Sequence, residues 1–365
     1  MKIIVNLSVF IFLFVGSSLT GISQPVNGVR MLDSVKSYFE RNYAGFTDKV
    51  TPATQVDYLE HTSKAYAEAK RARTKGECFA VIEFWLDFFI DEHVYIHFPP
   101  DPTYIEPEKH SVLRSLPVAP FFIEEKQVNA FYKKLNDSTG YLRVKSFDLH
   151  YAHSIDSVIN ANLQSIQSMP RLVIDLRWNG GGGDRSTGFL QPIVYTNPIK
   201  CIGDDLLITP DNITAWENMI NRYRSVMPKI NLDHIMQLLE QGRGKARSWV
   251  NFASDINGIL PAVWPMPVKV AIVINHDCGS TTEEFLLAAR QSKKVVIAGA
   301  PSRGVLDYSN VVEKDFFNPN FELHYPTTRS RRIDVGLGID NVGIQPDIPL
   351  DLDADNWLNE LLIKL

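Results

Sequence analysis

Apolar and polar positions change rhythm partway along this chain. From about residue 28 to 91 the period is helical: Met31, Leu32, Val35, Tyr38 and Phe39 recur on one face of a first helix. A second helix is predicted from about Ala53 to Arg73. The run Phe79 to Ile90 is almost wholly apolar and reads as a central helix with little exposed face. Pro99-Pro100-Asp101-Pro102 breaks that pattern, and 99–139 reads as a connecting region.

From Gly140 short apolar runs alternate with helical stretches. Tyr141–Val144, Leu172–Leu176, Val268–Asn275 and Val295–Ala298 read as strands, the second and third of them buried-looking. Amphipathic helices are expected around Ile155–Ile166 and Thr281–Arg290. Such alternation predicts an α/β domain with a largely parallel sheet and helices packed on it. A long stretch, 184–264, has a helical middle, so a helical insertion is expected at about 205–255. Strand-like pieces and a last helix around Trp357–Leu362 close the chain. The expected organisation is therefore an N-terminal helical subdomain (24–98), the connecting region, and a core (140–365).

The first residues follow another logic. Met1-Lys2 gives a positive start, Ile3 to Val15 is apolar, and small residues follow. That is the pattern of a secretory signal peptide over 1–23, with Gln24 as the mature start and export to the periplasm or beyond. The apolar run is short for a membrane span. The composition, 45 % hydrophobic and 22 % charged, is that of a soluble globular protein. A net charge of −5 without a basic run gives no sign of a nucleic-acid partner. Three cysteines and no C-x-x-C motif point to neither a zinc nor a redox site. No histidine spacing suggests metal ligation.

Three segments carry candidate chemistry. Ser280 lies on a turn between the strand ending at Asn275 and the helix from Thr281. A serine there commonly caps the helix. It also presents its hydroxyl beside unpaired backbone N–H groups, which can hold an oxyanion. Cys278, two residues earlier, falls before the helix start and suits a packed small hydrophobe. The second segment is Asp175-Leu176-Arg177-Trp178-Asn179 followed by Gly180 to Gly183. Its glycine-rich backbone can approach a ligand closely, and it lacks both phosphate-loop endings. A serine nucleophile needs a base, and His93 stands out among nine histidines because it ends the apolar helical stretch. The third segment is Gly338 to Ile348, where Asp340 can serve as a turn residue or orient a histidine.

Taken in order, these segments resemble the tail-specific and C-terminal processing peptidases and the tricorn core protease, serine peptidases with a ClpP/crotonase-like core. Asp175-Leu176-Arg177-x-Asn179-Gly180-Gly181-Gly182 looks like the family's D-x-R-x-N-x-G-G loop. Ser280-Thr281-Thr282-Glu283 is similar to its nucleophile motif, and Gly343-Ile344-Gln345-Pro346-Asp347 to its closing segment. Val305 stands where processing peptidases carry a catalytic lysine, and the interval from His93 to Gly140 is too short for their PDZ domain. The resemblance is therefore to the tricorn-like branch, whose base is a histidine in a segment like Asp91-Glu92-His93. Asp340 replaces that branch's glutamate with a shorter arm. The resemblance implies acyl transfer with Ser280 as nucleophile, His93 as base and Asp340 as its orienting carboxylate. Gly180, Gly181 and Thr281 would supply the oxyanion hole, the substrate would be a peptide or protein, and no cofactor would be needed. A binding protein that keeps this cleft without turnover is the competing expectation.

Overall fold

The computed structural model describes residues 26–98, 128–317 and 321–365; the expected signal peptide and most of the expected connecting region lie outside them. The first elements among the described residues are α1 (Gly28–Asn42), α2 (Phe46–Lys49), α3 (Gln55–Ala69) and α4 (Lys75–Leu86). Asn27 caps α1 by accepting the Arg30 amide at 3.0 Å, and Met31, Leu32, Val35, Tyr38 and Phe39 are all buried, the face that the periodicity predicts. Thr74 and Glu77 form a reciprocal capping box that starts α4. The apolar run does not stay α-helical to its end. After Leu86 a 3-10 turn carries Asp87–Phe89, and Ile90 takes a left-handed φ of 44° that stops the helix. His93 consequently sits in the turn ahead of β1 (Tyr95–His97).

The second half of the chain is built on a six-stranded sheet. It contains β2 (Ala130–Asn136), β3 (Thr139–Val144), β4 (Arg171–Asp175), and further on β9 (Lys269–Ile274), β10 (Val295–Gly299) and β13 (Ile348–Pro349). The order is β13-β10-β9-β4-β3-β2, parallel throughout except for β2, which pairs antiparallel with β3. The sheet therefore begins ten residues before Gly140. Between β3 and β4 run α5 (Ala152–Ala161) and α6 (Leu163–Ile166), and α7 (Gln191–Val194) follows β4. α10 (Thr281–Ala289) follows β9, and α11 (Trp357–Lys364) ends the chain. Ile155, Ile159, Phe285 and Leu286 pack with Leu172, Ile174 and Ile272 on one face of the sheet; Trp357 and Leu361 pack with Val173 and Val273 on the other. Both faces are covered, which is why these strands read as continuous apolar runs.

A second, antiparallel sheet lies beyond this core. β5 (Ile199–Cys201) and β6 (Asp204–Ile208) lead into α8 (Pro210–Tyr223) and α9 (Lys229–Gly242), and β7 (Ser248–Asn251) and β8 (Ile256–Gly258) lead out. β11 (Tyr308–Phe316) and β12 (Phe321–Ser330) form a hairpin. The sheet runs β1-β12-β6-β7, with β11 on the other side of β12. Its apolar face shares one core with α1, α4 and α8: Phe39, Trp85, Trp216, Leu323 and Tyr325 belong to one buried cluster. The N-terminal helices are thus packed onto strands drawn from residues 204–330. The Tyr38 and Tyr325 hydroxyls, 287 positions apart, are hydrogen-bonded at 2.9 Å.

Candidate active site

β9 delivers the chain to the turn Asn275–Gly279, and Ser280 follows with φ 56° and ψ −127°, immediately ahead of α10. A side chain at such a φ is strained, and strain of this kind concentrates at functional positions. The strain is held by Glu283, which is fully buried. Its carboxylate accepts the Ser280 amide at 3.2 Å, the Ser302 hydroxyl at 2.5 Å, and the Gly304 and Val305 amides at 2.7 and 2.9 Å. The carboxylate three residues after the serine is therefore the hub that joins the serine turn to the segment after β10. The Val305 side chain is buried, with no charge to offer. Cys278 is buried too, its thiol bonded to the Leu176 carbonyl at 3.0 Å, and burial pushes its pKa up to about 12. It behaves as the packed small residue expected.

The glycine loop lies against this turn. Asp175, at the end of β4, is fully buried and meets Arg143 at 2.8 Å and Arg177 at 2.8 Å. Burial alone would raise its pKa, but the two guanidinium groups outweigh it and hold the carboxyl down at about 2. The Arg143 guanidinium also donates to the Arg177 carbonyl at 2.6 Å, so the start of the loop is tied to β3. Asn179 continues the anchoring: Thr282 on α10 donates to its backbone carbonyl at 2.8 Å. At Gly181 φ is 103°, and a Cβ there would lie 2.8 Å from the Ser280 Cβ and 2.9 Å from the Thr281 nitrogen. Only glycine permits this approach. The Gly181 amide is bonded to the Asn179 side-chain oxygen at 3.1 Å. Thr281 is the first residue of α10, so its amide has no acceptor within the helix, while its hydroxyl donates to the Gly182 carbonyl at 3.0 Å.

His93 comes from nearly 190 residues away, yet it and Ser280 line the same cavity of about 1140 Å³, between the parallel core and α8–α9. Its Nδ1 pairs with the Tyr308 main-chain carbonyl at 2.7 Å, and its amide donates to Asp91 Oδ1 at 2.9 Å. Since a carbonyl can only accept, Nδ1 carries the proton and Nε2 is left as the acceptor. Among the described residues no hydrogen bond joins His93 to Ser280. Arg303 connects their two segments, 3.3 Å from Glu92 and 3.5 Å from Asp277.

Asp340 stands behind the carbonyl that holds His93 rather than on the ring. Its Oδ1 accepts the Leu306 and Asp307 amides at 2.9 and 2.8 Å. In return Asp307 Oδ2 accepts the Ile339 and Asp340 amides at 2.6 and 2.9 Å. This reciprocal clasp fixes the main chain one residue before Tyr308. Burial, then the nearby charge of Asp91, push the Asp340 carboxyl up to about 7. The Tyr308 carbonyl was not foreseeable, since a backbone acceptor leaves no mark in a sequence; Glu283 was visible as part of the serine motif, but not as a hub.

The chain matches Peptidase family S41 over residues 138–188 and 231–350. No curated protein matches it. Mature CPAF complexed with lactacystin has the same fold at a TM-score of 0.63 and 12 % identity, with 93 % of this chain and 97 % of that one covered. Mature CPAF alone gives 0.60 and 11 %, over 92 % and 95 %. A putative peptidase from Parabacteroides merdae gives 0.53 and 14 %, over 93 % and 95 %. At these identities the structures establish the fold, and the α/β core with its largely parallel sheet is the one expected. The chain belongs to peptidase family S41, the serine-type peptidases that its ordered motifs resemble.

Proposed function

We propose that this chain is an exported serine peptidase in which Ser280 attacks the scissile carbonyl and His93 takes the serine proton. The observation that carries the reading is the convergence of a strained serine and a tautomer-fixed histidine, 187 positions apart, on one cavity. His93 Nε2 accepts the Ser280 proton, and the resulting imidazolium is stabilised by the Tyr308 carbonyl. Asp340 completes the site by fixing, through the Leu306 and Asp307 amides, the main chain that leads into that carbonyl. The tetrahedral oxyanion is held by the Thr281 amide and by those of Gly180 and Gly181, with Gly181 exchanging its Asn179 partner for the oxyanion. The leaving amine takes the proton back from His93, and water resolves the acyl-enzyme by the same route. The substrate is a peptide or protein. Among the described residues no helix is long and apolar enough to cross a membrane. Export rests on the leader pattern of residues 1–23, and Gln24 should be the first residue of protein recovered outside the cytoplasm.

The test is turnover of an unfolded protein. Purified chain starting at Gln24 should cleave reduced casein. Ser280→Ala and His93→Ala should each lower kcat by about a thousandfold or more. Casein left intact by the wild-type chain would favour the second reading, a non-hydrolytic polypeptide-binding protein. The occupied Gly181 amide and the unbonded Ser280–His93 pair are the observations in its favour.

A further inference from the structure

We propose that Glu313, Glu322 and His324 form a binding site for one divalent transition-metal ion, with zinc as its best occupant. The site is separate from the serine and histidine of the peptidase reading and does not rest on it.

Strand register, rather than sequence spacing, brings the three residues together. Side chains alternate along β12, so Glu322 and His324, two apart, share a face. His324 lies directly opposite Glu313 on β11. Their face is the one turned away from the apolar core, since Leu323 and Tyr325 fill the other. One ligand atom from each of the three lies within 4.8 Å of the other two. Around an ion bound at about 2.0–2.2 Å, neighbouring ligand atoms stand roughly 3.3 Å apart, so a small shift of side chains closes the triangle. One side of it is already short, with His324 Nε2 and Glu322 Oε1 at 2.7 Å. The His324 ring is buried and stacks on Tyr95 of β1 at 4.2 Å and 12°. Packing of this kind fixes the plane of a ligating imidazole before the ion arrives.

The charge of this face calls for a cation. Asp315 lies directly opposite Glu322, and like charges so placed are destabilising. Lys314 does not relieve them, because it turns to the other face, its ammonium 5.5 Å from the centre of the Tyr38 ring. Glu313 pairs with Arg222 of α8 at 2.5 Å, but that guanidinium is more than half exposed and can return to water at little cost. His97 offers a fourth ligand. β1 sets it directly opposite Glu322, on the same face, since Ile96 beside it is buried in the core. Glu313 and Glu322 line the large cavity, so an ion reaches them from solvent and water fills any remaining position. The donor set decides the metal. Imidazole nitrogen with carboxylate oxygen and no thiolate suits zinc and its neighbours. Calcium takes six to eight oxygens, main-chain carbonyls among them, and β12 is paired on both sides here, so its carbonyls are committed to the ladder.

The probe is zinc chloride, titrated calorimetrically into the untagged, chelator-stripped chain carrying Ser280→Ala, so that turnover does not enter the measurement. Saturable binding of one zinc per chain is expected, together with a rise in melting temperature. Added to this parent, Glu322→Gln and His324→Gln should each weaken binding by about tenfold or more. His153→Ala, which removes an exposed histidine of α5, should bind zinc as the parent does. Glu322 is partly exposed, so Glu322→Gln carries the test by itself if the buried His324 position does not tolerate glutamine. No saturable zinc binding, unchanged affinity in Glu322→Gln, an equal loss in His153→Ala, or calcium bound as tightly as zinc would overturn the proposal.

Discussion

Ser280 holds a φ of 56° that no β-carbon favours, and four donors converging on Glu283 keep it there. Replacing Glu283 by alanine leaves those donors in a dry interior, at about 1–3 kcal/mol for a buried unmet group. Glu283→Ala should lower the melting temperature and remove activity together, whereas Ser280→Ala should leave melting nearly unchanged; calorimetry beside a casein assay separates the two. Asp340 supports a pH prediction. Its folded pKa, about 7, lies above the ordinary carboxyl value. Its contribution to stability is therefore fully present below about pH 4 and is lost as pH rises through 7. Between those limits the melting temperature of the wild-type chain should carry a falling component that is missing in Asp340→Asn. Two parallel curves would show that Asp340 is not the titrating group. At this scale the sequence exposed what is chemically special in itself: a serine after a strand, a glycine run, a histidine at the end of an apolar stretch. It concealed Glu283's role because two of its donors lie more than twenty residues downstream.

The elements that assemble the site differ in how readily they declare themselves. β4 and β9 are covered on both faces and spell continuous β-branched runs, so they were legible, and the loops after them carried the motifs. The β11–β12 hairpin was not legible as a unit. Glu313-Lys314-Asp315 interrupts its apolar alternation, and Asn310 takes a φ of 55° within the strand. Yet this hairpin supplies the acceptor for His93. The glycine loop allows a sharp test. In Gly181→Ala the new Cβ would stand 2.8 Å from both the Ser280 Cβ and the Gly279 carbonyl oxygen, at a φ of 103°. Strain of this kind costs about 1–3 kcal/mol before the clash is counted. The expected outcome is loss of casein cleavage of about a hundredfold or more, with folding retained by circular dichroism. Gly244, φ 77° with open space around it, is the control: its alanine variant should keep full activity.

For the whole molecule, the N-terminal helices are part of the catalytic body rather than an appendage. Phe39 and Trp85 share a buried cluster with Leu206, Trp216 and Tyr325, and only a 3-10 turn and Ile90–Glu92 separate α4 from His93. A chain beginning at residue 99 would expose that cluster's whole helical side, so it should be insoluble or molten, with no cooperative melting transition; a sharp transition would mean the core folds alone. The sequence suggested a helical subdomain ahead of an α/β core because the change of rhythm is real. It could not reveal that the helices pack on strands 204–330, since that contact joins segments separated by more than a hundred residues. The central point is whether the distant histidine activates the strained serine. The direct measurement is the rate at which a fluorophosphonate labels the protein, with the modified residue located by peptide mass spectrometry. A single adduct on Ser280 is expected, with labelling slowed by about a hundredfold or more in His93→Ala at neutral pH. An adduct elsewhere, no adduct, or equal rates in wild type and His93→Ala would contradict it.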